Sequence, residues 1–413
     1  MCEVRQSPAH PVVQPVSIHP LAVETRRFCG VPTTQPIVAT GHQPVLPHPG
    51  ILAKYIMASR LANTHSACAV NLVIDTGSGP LGQLDVPCGS APMTLPLLNE
   101  NAGLWATRQA GRLRSMPALA RCSTSIELGI QDIFAAWKHA SGETAATQAA
   151  AAQAAVVQPW AGEFQNVWAS RLLETPIGNA LLEAMRADPI GCVAIYNEAV
   201  VNRPNVGVSP LRATGDLELP LWVVADGSLR TATVSDLEAS ASQLLPKALA
   251  TTALLRVGLA DHFVHGLGGW AYDEIMEQWI SGWLGWTPCP KSLATATVWL
   301  PGYAPEELDA ETERRVLKLR RLQHDPLGAG ERALSPAKAA TLARIKAADG
   351  TTARAQAFAM LHHDREQSQD ASRLAEAAGN LKAAREARAL LARRDWACPL
   401  YPRPTLESLA NAF

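Results

Sequence analysis

The stretch TGHQPVLPHPGILAKYI, Thr40 to Ile56, gathers two histidines, two glycines and a lysine at one corner of the chain. Gly41 and Gly50 let backbone approach a ligand closely. His42 and His48 donate hydrogen bonds and change charge near neutral pH, and Lys54, one turn into the following helix, adds positive charge. A strand that turns through glycine into a helix aims unpaired backbone N–H groups and the positive helix end at one place. Such a corner, closed by Thr40 and carrying Gln43, binds phosphate or carboxylate. The alternative is that the prolines only stiffen a loop while the histidines cap or pack.

A second corner, HFVHGLGGWAYDE from His262 to Glu274, repeats the logic. Gly266, Gly268 and Gly269 open a helix that also carries Tyr272 and Asp273, with His265 just before it; a tight helix start without a ligand is the competing reading. His262 and His265 have metal-like spacing but no third ligand nearby, so they read as structural, and no metal site is expected. Asp75 ends the apolar run AVNLVID, the place where open parallel sheets bind ligands, although a capping or turn role is equally open. Arg203 and Arg256 are the basic residues to watch for contacts with an anionic substrate. GxGxxG after the first strand, GxxxxGK[ST] and GxSxG are all missing, which counts against a standard dinucleotide dehydrogenase, a P-loop NTPase and an α/β-hydrolase.

The elements that must hold these residues follow from periodicity. Pro36 to Thr40 reads as a short strand, Ile51 to Asn63 as a helix with Pro49 in its first turn, and Ala69 to Asp75 as a strand covered on both faces. Strand, helix, strand is a βαβ unit and favours a parallel sheet. Gly191 to Tyr196 and Ser292 to Leu300 read as further strands. Glu218 to Ala225 and Leu229 to Val234 flank Asp226-Gly227, a hairpin turn pair. Gln243 to Leu259 reads as a helix. Residues 1–35 are Pro-rich and aperiodic, an extended arm. Composition turns helical from Asn99 to Val157, and the alanine-rich 144–157 reads as a surface helix or mobile connection.

Past Pro301 the texture is Ala, Leu, Glu, Arg and Lys, with Leu374, Ala377, Leu381, Ala384 and Leu391 at heptad-like spacing. A helical hairpin arm, with Pro326-Leu327-Gly328 as a turn, fits residues 304–396. The expected organisation is an arm over 1–35, an α/β core over 36–303 with a helical insertion at about 99–185, the helical arm, and a tail over 397–413 returning to the core.

With 36 basic and 37 acidic residues in 413, the chain offers no bulk field for nucleic acid or an anionic membrane. Its 8 cysteines are scattered without a CxxC pair and read as reduced thiols. No long apolar run and no secretory h-region are evident, so a cytoplasmic location is expected.

Thr40-Gly41-His42-Gln43-Pro44, the Pro49-Gly50 helix start, Gly268-Gly269-Trp270-Ala271-Tyr272 and the terminal helical arm together resemble the cysteine-adding enzyme of bacillithiol synthesis. That family opens Thr-Gly-Gln-Gln, so His42 replaces its first Gln. The resemblance implies a Rossmann-like core akin to class I aminoacyl-tRNA synthetases and nucleotidyltransferases, with a coiled-coil domain, and an amide-forming ligation of an amino acid such as cysteine onto an amine or amino sugar, with ATP or ADP as cofactor. In the wider superfamily a His-x-Gly-His element stabilises leaving phosphates, a part that falls by position on Gly41-His42 and His48. His42-Gln43-Pro44, Pro47, Gly50 and Lys54 also resemble the WbqC-like family of polysaccharide loci. The expectation is a ligase-like enzyme in which His42 and His48 stabilise charge, Gln43 and Asp75 orient substrate, and the 265–273 loop forms the opposite wall. Acyl or formyl transfer on a nucleotide sugar, and a non-catalytic metabolite-binding protein that dimerises through its arm, are the rivals.

Overall fold

The computed structural model describes residues 2–7, 13, 19–88, 91–99, 103–118, 122–225, 228–238, 244–325 and 334–413. In chain order the elements are β1 (Cys2–Ser7), α1 (Ala22–Phe28), β2 (Ile37–His42), α2 (Pro49–Thr64), β3 (Cys68–Val73), β4 (Gln83–Val86), β5 (Met93–Pro96), β6 (Leu98–Asn99), β7 (Arg112–Leu113), α3 (Thr124–His139), α4 (Ala145–Ala161) and β8 (Gln165–Trp168). Then come α5 (Pro176–Ala187), α6 (Pro189–Val201), β9 (Glu218–Ala225), β10 (Ser228–Thr233), β11 (Leu244–Pro246), α7 (Ala248–Gly258), β12 (His262–His265), α8 (Leu267–Leu284) and β13 (Lys291–Val298). The last helices are α9 (Pro305–His324), α10 (Pro336–Ala347), α11 (Thr351–Ser368), α12 (Ala371–Ala392) and α13 (Arg403–Asn411). Contacts divide the chain into two compact units: Met1–Val86, Thr94–Val298 and Arg394–Phe413 form the first, Pro87–Met93 and Trp299–Arg393 the second.

The first unit is α/β, built on a six-stranded sheet in the order β1-β13-β12-β2-β3-β8. Five strands run parallel and β1 closes the edge antiparallel to β13. Both faces are covered. Ile37 and Ala39 of β2 point into a core shared with α5, α6, α7 and α8, while Val38 faces Met57, Ala58 and Leu61 of α2. Strands buried on two sides are continuously apolar, which is why IVAT and AVNLV carry no alternation.

Several segments differ from the sequence reading. Residues 1–35 are more than an extended arm, because β1 pairs with β13 and α1 buries Ala22, Thr25 and Arg26. Gly191 to Tyr196 lies in helix α6 instead of a strand. Asp188 caps that helix by accepting from the Gly191 N–H, Pro189 occupies its first turn, and Cys192, Val193, Tyr196, Ala199 and Val200 bury one face at helical spacing. Leu244 to Pro246 is strand β11, paired with β9, so the helix expected from Gln243 starts at Ala248. The alanine-rich tract is no surface helix: α4 buries Ala146, Ala149, Ala150 and Gln153, capped by a reciprocal Thr144–Thr147 box. The region from 99 to 185 contributes β8 to the sheet and is not only a helical insertion. Cys88 and Cys122 are each disulfide-bonded, which corrects the expectation of reduced thiols throughout. Asp226-Gly227 and Pro326-Leu327-Gly328 fall outside the described residues.

After the second unit the chain rejoins the first at Arg394. Trp396, Cys398, Leu400, Leu406 and Leu409 are buried there, and Arg60 donates to the Ala410 carbonyl at 2.6 Å. In the second unit α9 packs along α12 and α10 along α11. Ala377 and Leu381 of the heptad-like set are buried on α12, whereas α11 buries none of its described side chains.

At the amino ends of the central strands Asp261 Oδ2 accepts from Arg26 Nη2 at 2.8 Å and from the Ile37 N–H at 2.7 Å, and Arg26 Nε donates to the Leu259 carbonyl. Both charged side chains are buried, at 3% and 2% exposure. Removing one partner of a buried pair strands the other charge in a medium that cannot hydrate it. Arg26→Ala is therefore expected to lower unfolding free energy by about 3–5 kcal/mol, read as a shifted midpoint in chemical denaturation.

Candidate functional site

Strand order reverses between β2 and β12: the chain runs outward through β3 and β8 on one side, then returns to build β12 and β13 on the other. At such a switch the loops leaving two adjacent carboxyl ends diverge and leave a crevice. A cleft of about 810 Å³ opens there. Gly41, His42 and Gln43 enter it from β2, His48, Gly50 and Lys54 from α2, and His265, Gly266, Gly268, Gly269 and Tyr272 from β12 and α8.

Lys54 binds the two sides together. Its side chain is 6% exposed, Nζ donates to the Gly41 carbonyl at 2.7 Å, and its stem lies where a Cβ on Gly266 would come within 3.1 Å of Cδ. Gly266 thus packs tightly against the lysine stem that reaches over from α2. Burial depresses this ammonium to a pKa of about 8, because no carboxylate among the described residues offsets the lost hydration. The amine therefore gains or loses its proton just above neutral pH.

The histidines differ in what they present. His48 is the N-cap of α2, and its Nδ1 accepts from the Gly50 N–H at 3.1 Å. That bond places the ring proton on Nε2. His42 Nδ1 lies 3.1 Å from the Gln43 carbonyl, which can only accept, so the neutral ring is protonated on Nδ1 and offers Nε2 as an acceptor. Burial, with Lys54 second, pushes its pKa down to about 3. Burial likewise lowers His48, with Asp395 opposing. A neutral His42 does not by itself stabilise negative charge; it first needs a proton. Gln43 supplies its carbonyl to Gln153 Nε2 at 2.9 Å, which ties the corner to α4.

Other expected residues stand away from the cleft surface. Thr40 is buried beneath it with Oγ1 donating to the Val264 carbonyl. Asp75 is not placed to orient a substrate: its two oxygens accept from the Ser170 N–H at 2.8 Å and Ser170 Oγ at 2.6 Å, pinning the turn Ala169–Glu174. Arg203 pairs with Glu274 and Gln278 between α6 and α8 and does not line the cleft. Arg256 is buried against Asp273, Glu277 and the Cys289 carbonyl, and Asp273 is 0% exposed behind His265. Neither lines the cleft; Asp273 meets it through its contact with His265. His262 bonds Ser292 Oγ at 2.8 Å inside the core, the structural role expected for it. Among the described residues no group of three His, Cys, Asp or Glu side chains is arranged to hold a metal ion.

Trp105, Trp222, Thr251 and Thr252 also line the cleft, as do Arg394 and Asp395 where the chain rejoins the first unit. Sequence reasoning missed these. Only the basic-acidic pair at the end of the helical arm carried any signal, since tryptophans and threonines far apart in the chain have no spacing that announces a shared wall. No protein-family model and no curated protein matches this chain. No helix of the described residues is long and apolar enough to cross a membrane.

The depressed histidines set the response to acid. A histidine whose folded pKa lies below 6.5 stays neutral in the fold while the unfolded chain takes up a proton, so stability falls as pH drops below 6.5 and continues to fall until the folded value is reached. His262, held near 4 by burial and then by Arg256 and His65, and His42, near 3, both act in this window. Each buried neutral histidine costs up to about 1.4 kcal/mol per pH unit there. The melting temperature is expected to fall steeply between pH 6.5 and 4.5, and less steeply in His262→Gln, followed by circular dichroism melts across the series.

Proposed function

We propose that the cleft binds a phosphate-bearing substrate, a nucleotide or sugar phosphate, and that the protein is an amide-forming, ligase-like enzyme on a Rossmann-like core, joining an amino acid such as cysteine to an amine or amino sugar with ATP as the activating cofactor. The observation that carries this reading is Lys54, a buried cation without a carboxylate partner among the described residues, at the point where the amino ends of α2 and α8 both face the cleft. The first turn of α8 has no side-chain cap, so its N–H groups are available to an anion. The sheet order, with a switch point at β2 and β12, supports a nucleotide-binding lineage, and the TGHQP and GGWAY motifs support the likeness to the bacillithiol cysteine-adding enzyme.

In this reading the phosphates lie along Lys54 and the α8 turn. An anion beside His42 Nε2 raises the affinity of that nitrogen for a proton, which converts the residue from an acceptor into a charged donor at the leaving phosphate. Trp105 and Trp222 offer flat apolar walls for a base or sugar face. Acyl or formyl transfer on a nucleotide sugar would use the same cleft without cleaving ATP, so release of pyrophosphate or ADP in the presence of cysteine and amino sugars separates the two.

Lys54 carries its charge only below about pH 8. Binding of inorganic pyrophosphate, measured calorimetrically, is expected to strengthen as pH falls from 9 to 7, and Lys54→Met is expected to weaken it at least tenfold, about 1.4 kcal/mol, and to flatten that pH dependence. His42→Ala is expected to reduce turnover roughly 10²-fold or more; unchanged binding and turnover in that variant would remove His42 from the site.

A further inference from the structure

His265 ends β12, lines the cleft, and has Asp273 directly behind it. Asp273 Oδ2 lies 3.0 Å from His265 Nε2 and 3.6 Å from Lys291 Nζ, and it accepts from Arg256 Nη1. The approach to His265 meets the distance of an ion pair without the alignment of a linear hydrogen bond. Burial works against charge on Asp273, but His265, Arg256 and Lys291 outweigh it and hold the carboxyl below its ordinary range. Burial keeps the His265 ring below its ordinary value, Asp273 opposing and Arg256 and Lys54 reinforcing the shift. The pair is thus a neutral imidazole against an ionised carboxylate.

An ionised oxygen at 3.0 Å attracts a ring N–H and repels a ring lone pair, so the proton of His265 sits on Nε2 and the lone pair on Nδ1. Nδ1 lies against the first turn of α8, where a Cβ on Gly269 would fall 2.4 Å from it. Any other residue at 269 would cover that nitrogen. The groups facing the ring are Asp273, Tyr272 and Phe263, with Lys54 from α2, Arg256 from α7 and Lys291 from β13 completing the charged surroundings.

We propose that His265 is the general base of the cleft, taking a proton through Nδ1 from the attacking amine, with Asp273 as its positioning residue and Arg256 and Lys291 holding Asp273. This role rests on the amide-forming reading above; the placement of the ring proton does not. As the amine nitrogen bonds to the acyl carbon, the bond from that carbon to the phosphate oxygen breaks and its electron pair leaves with the phosphate. The amine proton passes to Nδ1 and the imidazolium is stabilised by Asp273 until solvent takes the proton.

Nitrogen-15 NMR of the full chain labelled in histidine tests the proton placement, with the His265 signal assigned by its loss in His265→Gln. The Nε2-protonated tautomer is expected from pH 6 to 8; an Nδ1-protonated ring or an imidazolium in that range overturns the proposal. In Asp273→Asn, Arg256 and Lys291 hold the amide oxygen, the NH₂ group faces the ring, and the tautomer is expected to invert. Diethyl pyrocarbonate, which acylates imidazole lone pairs, is expected to modify His265 ahead of His262 by peptide mapping, and at least tenfold more slowly in Asp273→Asn; an unreactive His265 in the unsubstituted protein overturns the proposal. His265→Gln is expected to lose roughly 10²–10⁴-fold in turnover with pyrophosphate affinity unchanged, and retained turnover sinks the assignment. Absence of ATP consumption by the unsubstituted protein would instead refute the ligase reading, and the NMR and acylation results would still decide the state of His265.

Discussion

One buried carboxylate sets the geometry on which the cleft depends. Asp261 accepts from Arg26 and from the N–H that begins β2, and it immediately precedes β12. It therefore anchors α1 and the start of two adjacent parallel strands at one point, and pins the register that pairs Val38 with His262 and Thr40 with Val264. Parallel strands gain no turn to fix their alignment, so a shared buried ligand at the amino ends does that work. The opposite ends of the same two strands deliver His42 and His265 to the cleft. A shift of one residue in either strand would turn those side chains to the other face.

The interior carries several buried charged groups, and most are held by an oppositely charged partner that offsets the lost hydration. Arg26 has Asp261; Arg256 has Asp273 and Glu277; Lys291 lies between Glu277, at 3.1 Å, and the ring of Trp270. Among the described residues Lys54 stands apart, with a backbone carbonyl as its hydrogen-bond partner and a depressed pKa. An unmatched cation kept in a cleft is poorly explained by stability and well explained by an anionic ligand that supplies the missing charge. Its neighbours agree: a glycine packs tightly against its stem, and two helix amino ends point at the same space.

Much of the parallel core was legible. The apolar runs around Val38 and Val70 read as strands because burial on both faces leaves a continuous hydrophobic signature, and the Pro49-Gly50 pair marked the start of α2. Short apolar segments were ambiguous, as Gly191 to Tyr196 shows: six such residues satisfy a strand or one turn and a half of helix, and the cap at Asp188 decided for helix. Alanine tracts mislead for a related reason. Small side chains that look undemanding on a surface also permit close approach, and α4 uses them to pack against α2 and α3.

At the site, sequence alone established which residue types gather at the two glycine-rich corners, that both corners open helices and that the first follows a strand. That much is local, because glycine spacing, helix starts and apolar runs are properties of contiguous chain. Only the tertiary structure decided which of those residues meet. His42, His48, Lys54 and His265 share a cleft because β2 and β12, some 220 positions apart in the chain, are neighbours in the sheet. Asp75 was drawn instead to Ser170, and Arg203 to Glu274, since a charged side chain takes the nearest partner that the fold brings to it. Protonation was likewise beyond the sequence: the pKa of about 8 at Lys54 and the ionised Asp273 behind His265 come from burial and from cations contributed by distant helices and strands, which no spacing along the chain records.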